Sequence, residues 1–228
     1  MARYIKRHSL QARITHDVFA VSGILLFLTG LFVFIPPLAD AAPATTVYVI
    51  RIAHRVIGFI FILVPIISAI LAPGGFKHYL SNYFRRWNKE DITWMKKFIP
   101  YMLAPKKVHM PNQPELKSGQ VVADGALMLG AIVMAISGLF LVFGTWFVDL
   151  SAGLMVFMRL LHNIGFIWMI VFVIPHIYLG AGIFQPYRKT ARLMFGDGKV
   201  SESDALYHWG NWAAEEFEKG EKVVEEDD

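Results

Sequence analysis

Leu160-Leu161-His162-Asn163-Ile164-Gly165-Phe166-Ile167-Trp168-Met169-Ile170-Val171-Phe172-Val173-Ile174-Pro175-His176 is the stretch that decides the fold of this chain. It holds no Asp, Glu, Lys or Arg, and the uncharged run continues to residue 187. A helix rises about 1.5 Å per residue and needs about 20 apolar residues to cross roughly 30 Å of hydrocarbon. Three other runs, 18–39, 56–76 and 125–148, are equally free of charge and long enough. The sequence therefore predicts an all-α membrane protein, a bundle of four transmembrane helices with spans near 14–37, 48–72, 120–148 and 153–185. Composition agrees: 55% of the 228 residues are hydrophobic and 14% aromatic, with a mean hydropathy of +0.46, too apolar for an ordinary soluble domain.

The first run follows a basic arm and precedes Ala39-Asp40-Ala41, which imitates a secretory signal. Signal cores run about 7 to 15 residues, so a run of 22 residues reads as a span. Lys and Arg then set the orientation, because cytoplasmic loops retain them. Nineteen of the 22 basic residues fall on one side: in the N-terminal arm, in the connection between spans two and three, and after span four. Both termini are expected in the cytoplasm. The net charge of +4 suits this topology and anionic lipid headgroups, and no nucleic-acid partner is needed to explain it. The chain has no Cys, so any iron–sulfur cluster it serves belongs to another subunit.

Between spans two and three, residues 79–102 mix Trp and Phe with basic residues and predict an amphipathic helix at the inner headgroups. Three prolines make 104–114 a loop. Residues 213–228 read as an acidic, solvated cytoplasmic tail.

A faint repeat organises the spans. Thr29-Gly30-Leu31-Phe32 in span one returns as Ser137-Gly138-Leu139-Phe140 in span three. Arg51-Ile52-Ala53-His54 in span two returns as Arg159-Leu160-Leu161-His162 in span four. Duplication of a two-helix unit makes His54 and His162 equivalent positions near the outer ends of parallel helices. Two imidazoles at one depth on different helices are what a bis-imidazole haem requires. Arg51 and Arg159, one turn before each His, are placed to reach propionates or simply to snorkel to headgroups. On span four, His176 follows His162 by 14 residues, nearly four turns and roughly 21 Å, so the two share a face near opposite membrane surfaces. His16, at the start of span one, is the other apolar-flanked His at the depth of His176. His16, Gly23 and Gly30 recur every seven residues, and Gly23, together with Gly58 in span two, is read as lining for a flat macrocycle or as plain helix contact. The remaining histidines, His8, His78, His109 and His208, lie in polar segments and receive no ligand role.

The pattern resembles the di-haem cytochrome b (gamma) subunit of membrane-bound bacterial formate dehydrogenases, and more loosely the cytochromes b of hydrogenases and thiosulfate reductases, from Arg13 to about Trp212. His16 with Ser22-Gly23 and Thr29-Gly30, Arg51-x-x-His54, Ser118-Gly119-Gln120, and Leu160-Leu161-His162 followed by His176 carry the resemblance. It implies one di-haem domain over residues 1–212 in a bacterial inner membrane. Its two b-type haems are an outer one on His54 and His162 and an inner one on His16 and His176. It implies a quinone site at Lys117, Ser118, Gly119, Gln120 and His176. The implied partners are an iron–sulfur electron-transfer subunit and a catalytic oxidoreductase subunit. Lys117 departs from the family pattern, which typically offers Asn there, and an ammonium donates without accepting. Ser118 also fits a helix cap.

Asp124 lies 14 residues before Gly138, as His16 lies 14 before Gly30, so the repeat puts a carboxylate at the inner depth of span three. It is a candidate proton donor in quinone reduction, or a solvated helix-start acid. The contrasting class is a haem-free anchor or a proton-coupled transporter with a histidine relay, although transporters commonly use more spans and interrupted helices.

Overall fold

The computed structural model describes residues 1–183 and 187–226. Four long helices form from the apolar runs: α1 (Leu10–Phe34), α3 (Ala44–Leu71), α6 (Ser118–Trp146) and α7 (Ala152–Gly180). Each is long and apolar enough to cross a membrane, so the four-span fold stands. The short α2 (Pro36–Asp40) follows α1 because Pro36 and Pro37 lack the N–H groups that would continue it, and Ile35 turns extended. Pro65 and Pro175 lie inside α3 and α7, as transmembrane helices tolerate. The expected end of the fourth span at 185 lies outside the described residues.

These helices carry their apolar side chains outward. Leu160, Ile164, Ile167, Val171 and Ile174 of α7 recur at three- and four-residue steps and are all exposed. Exposed apolar stripes are costly in water and cost nothing against lipid. The buried residues of α1 are instead Ser22 and Gly30.

The chain divides into two compact units. The second unit, Ile14–Leu71 and Ala126–Val171, is helical. In it Phe19 of α1 stacks on Phe61 of α3 with centroids 4.0 Å apart, and Thr15 donates to Ser68 at 2.9 Å. Gly130 and Gly165 admit the other long pair, since a Cβ on Gly130 would meet Met169 at 2.7 Å and one on Gly165 would meet Met134 at 2.8 Å. Small residues let membrane helices approach closely.

The first unit, Met1–Arg13, Ala72–Gly125 and Phe172–Asp228, mixes helix and sheet. It contains β1 (Ala2–Lys6), α4 (Pro73–Tyr83), α5 (Lys89–Leu103), α8 (Arg192–Phe195), β2 (Lys199–Ser201), α9 (Glu202–Lys219) and β3 (Val223–Glu226). The strands form an antiparallel sheet in the order β2-β1-β3, with Ile5 opposite both Val200 and Val223. Ile5, Val200, Ala205, Trp209, Trp212 and Ala213 make its core.

Two sequence expectations change here. The amphipathic stretch is two helices, because Asn88 and Asp91 form a reciprocal capping box that starts α5 anew. Trp94 and Tyr101 of α5 are buried, while Ile92, Ile99 and Leu103 form its exposed apolar face. The acidic end is not a loose tail. Residues up to Lys219 belong to α9, and Val223–Glu226 pairs with the first strand. Its acids have local partners: Glu226 meets Lys199, and Glu216 accepts from Lys222 at 2.7 Å. Apolar Val223 and Val224 give the strand something to bury. Residues 227 and 228 of the expected tail lie outside the described residues.

Candidate functional site

The histidines at the equivalent repeat positions are built the same way twice. Nδ1 of His54 on α3 lies 2.8 Å from Oγ1 of Thr29 on α1. Nδ1 of His162 on α7 lies 2.9 Å from Oγ of Ser137 on α6. Each hydroxyl precedes its partner His by 25 residues, and each immediately precedes a repeat glycine. Each hydroxyl also reaches back one turn, Thr29 to the Leu25 carbonyl at 2.7 Å and Ser137 to the Val133 carbonyl at 2.6 Å. A hydroxyl has one proton and a carbonyl can only accept, so the proton goes to the carbonyl. The hydroxyl oxygen must then accept from the imidazole Nδ1–H. The network thus assigns one tautomer to both rings, and in that tautomer Nε2 keeps its lone pair for a metal.

The rings lie together. Their centroids are 6.4 Å apart with planes at 75°. Imidazole–metal bonds of about 2 Å on opposite sides of one ion put ring centroids roughly 6 Å apart, so the observed spacing fits an iron held between His54 and His162. Gly30 and Gly138 lie against the rings: a Cβ there would stand 3.6 Å from Cε1 of His54 and 3.2 Å from Cε1 of His162. Gly138 therefore makes room for an imidazole, while the contact at Gly30 is an ordinary one. Gly23 and Gly58 do a different job, since their missing side chains face Phe61 at 3.6 Å and Leu26 at 4.0 Å. Both contacts are of ordinary van der Waals length, so the two glycines pack against apolar side chains of the neighbouring helix. Arg51 is exposed and lines an opening of about 340 Å³ together with Asp40 and Tyr48. Arg159 is exposed as well. Arg55, one residue past His54, stacks on Trp146 at 4.5 Å.

The histidines expected at the inner surface belong to separate units, each with its own surroundings. His16 of the second unit has Nδ1 3.5 Å from Oδ1 of Asp17. His176 of the first unit has Nδ1 2.8 Å from Oδ1 of Asp124. A carboxylate accepts, so this imidazole too has a proton on Nδ1, which leaves Nε2 as the nitrogen available to a metal.

The segment before α6 is packed into the first unit. Ser118 is fully buried, with its hydroxyl 2.7 Å from the Asp91 carboxylate and 2.8 Å from the Gln113 side-chain oxygen. Asp91 is clamped by Arg85 at 2.8 and 2.5 Å, which holds its carboxyl down at about 2. A Cβ on Gly119 would fall into the Trp94 ring. Lys117 is 3% exposed, with Nζ 4.4 Å from the centroids of both Tyr187 and Trp209 and 3.3 Å from Nδ1 of His208. Burial pushes this ammonium well below its ordinary value, and Arg7, stacked on Trp209 and Trp212, adds to the effect. Of the expected quinone contacts, Lys117, Ser118 and Gly119 are therefore occupied by internal partners, and Gln120 stays partly exposed. His208, read from sequence as an aqueous residue, is buried and stacks on Tyr187 at 5.1 Å. Its neighbours Trp209 and Trp212 were the signal that α9 has a buried face.

A four-helix membrane bundle that presents a pair of histidines with metal-ready nitrogens defines a membrane cytochrome of the b type. The chain belongs to the prokaryotic cytochrome b561 family, which it matches over residues 7–197. It is a multi-pass bacterial membrane protein of a family that binds b-type haem and transfers electrons. Membership favours the cytochrome reading over the haem-free anchor and the transporter. No curated protein matches the chain.

Proposed function

We propose that this chain is the membrane-anchoring di-haem subunit of a formate dehydrogenase-like complex, linking an iron–sulfur partner subunit to quinone. The observation that carries the reading is the pair His54 and His162, 6.4 Å apart and both locked in the Nε2-ligating tautomer. These two hold the outer haem, with Arg51 and Arg159 toward its propionates, and His16 and His176 hold the inner one. A b-type haem in such a site supplies reversible one-electron transfer. The chain's own contribution is to fix the axial rings and exclude water by burial. Quinone is bound near His176 and Gln120, with the basic side of the molecule in the cytoplasm. The network of Arg85, Asp91 and Ser118 holds the start of α6, the helix that carries Gln120. Asp124, hydrogen-bonded to His176, is the candidate proton donor to quinone in the state in which its carboxyl carries a proton.

The test is an absorption spectrum of the purified chain with haem counted by pyridine haemochrome. Two haems per chain are expected, falling to one in His162→Ala. A single haem in the unaltered protein, retained in His162→Ala, sinks the assignment.

A further inference from the structure

The three histidines with assigned tautomers are backed by two kinds of acceptor. His54 and His162 donate Nδ1–H to hydroxyls, which are neutral and already share their own proton with a carbonyl. His176 donates to the Asp124 carboxylate at 2.8 Å. Asp124 side-chain exposure is 15%, inside a span, where an ionised carboxylate without a close donor is costly. The neighbouring residue Gly125 leaves room for the Tyr83 ring, 3.7 Å from where its Cβ would stand. The repeat sharpens the contrast: Asp124 occupies in span three the place His16 occupies in span one.

We infer that Asp124 is a positioning residue that acts on iron through His176, a role distinct from proton donation. A carboxylate accepting from the far nitrogen fixes the ring and makes Nε2 more basic. A more basic axial ligand, with an anion behind it, favours ferric over ferrous iron. Asp124 thereby holds the haem on His176 at a lower potential than the imidazole alone would give, a setting the hydroxyls behind His54 and His162 do not provide. The inference rests on the proposed ligand role of His176.

The experiment is a redox titration of the purified haem-loaded chain, followed in the b-type α-band, with His176→Ala identifying the wave that belongs to His176. In Asp124→Asn that wave is expected to move to higher potential while the other stays, and Asp124→Glu is expected to restore it. If His176→Ala removes one wave and Asp124→Asn moves neither, the inference fails and the ligand assignment stands. Should His176→Ala keep both haems, the assignment fails and takes the inference with it. If Asp124→Asn loses haem outright, Ser137→Asp decides, since a carboxylate placed behind His162 must lower the other wave, and an unmoved wave overturns the idea.

Discussion

The histidine pair of the second unit and the 117–124 segment of the first are built on opposite principles. The pair is made twice from one pattern, hydroxyl, glycine and imidazole, and the Nδ1 of each ring meets a neutral hydroxyl. The segment is made once, from Asp91, Arg85, Ser118 and a buried Lys117, with partners drawn from distant parts of the chain. Neutral groups suit a site in hydrocarbon, where each charge needs its own compensation. Charged networks suit a folded interior near water, where they fix one arrangement of several elements at a cost in desolvation.

Breaking the pair gives the largest effect. His54→Ala or His162→Ala is expected to remove one haem of two, read as a halved Soret band per chain, with the first unit still folded by circular dichroism. Breaking the network comes next. Asp91→Asn leaves Arg85 without its partner and Ser118 with a changed acceptor, a loss of about 3 kcal/mol for a buried pair. Its readout is an earlier thermal unfolding of the first unit in detergent, followed by Trp fluorescence, with haem content retained. The same ion pair sets an acid limit. The Asp91 carboxyl is held at about 2 when folded, so its stabilisation is fully present above the ordinary carboxylate value near 4. It is lost as pH falls from about 4 toward 2. That acid-dependent part of unfolding is expected to shrink in Arg85→Met, the remainder coming from the hydrogen bonds that Asn88 and Ser118 give the same carboxylate.

Smaller changes separate the two copies within the pair. Ser137→Ala and Thr29→Val remove the acceptor that fixes each tautomer and are expected to weaken haem binding roughly tenfold, within the range seen when such outer partners are removed. The smallest contrast lies at the glycines. Gly138→Ala pushes a methyl to 3.2 Å from His162 and is expected to broaden the haem spectrum, whereas Gly30→Ala, at 3.6 Å from His54, leaves it nearly unchanged.

What could be read from the sequence differs between the units for a physical reason. Four spans, the repeat and the histidines at its equivalent positions follow from charge exclusion and helical spacing, which are local properties. Thr29-Gly30 and Ser137-Gly138 were visible as repeat marks, but their bonds to His54 and His162 join residues on neighbouring helices. The break between α4 and α5 was signalled by Asn88 and Asp91 at capping-box spacing and was hidden by the amphipathic pattern on either side. The β2-β1-β3 sheet was hidden more deeply, since it joins the two ends of the chain through strands of three to five residues.

The sequence alone determined that this chain crosses a membrane four times and that His54 and His162 are repeat equivalents, because hydrophobic periodicity and the avoidance of charge act through neighbouring residues. Only the tertiary structure decided which atom stands behind each histidine. It gave hydroxyls to two of them, Asp124 to His176, and internal partners to Lys117 and Ser118. Those choices depend on helix rotation and approach, which side chains from separated segments fix together.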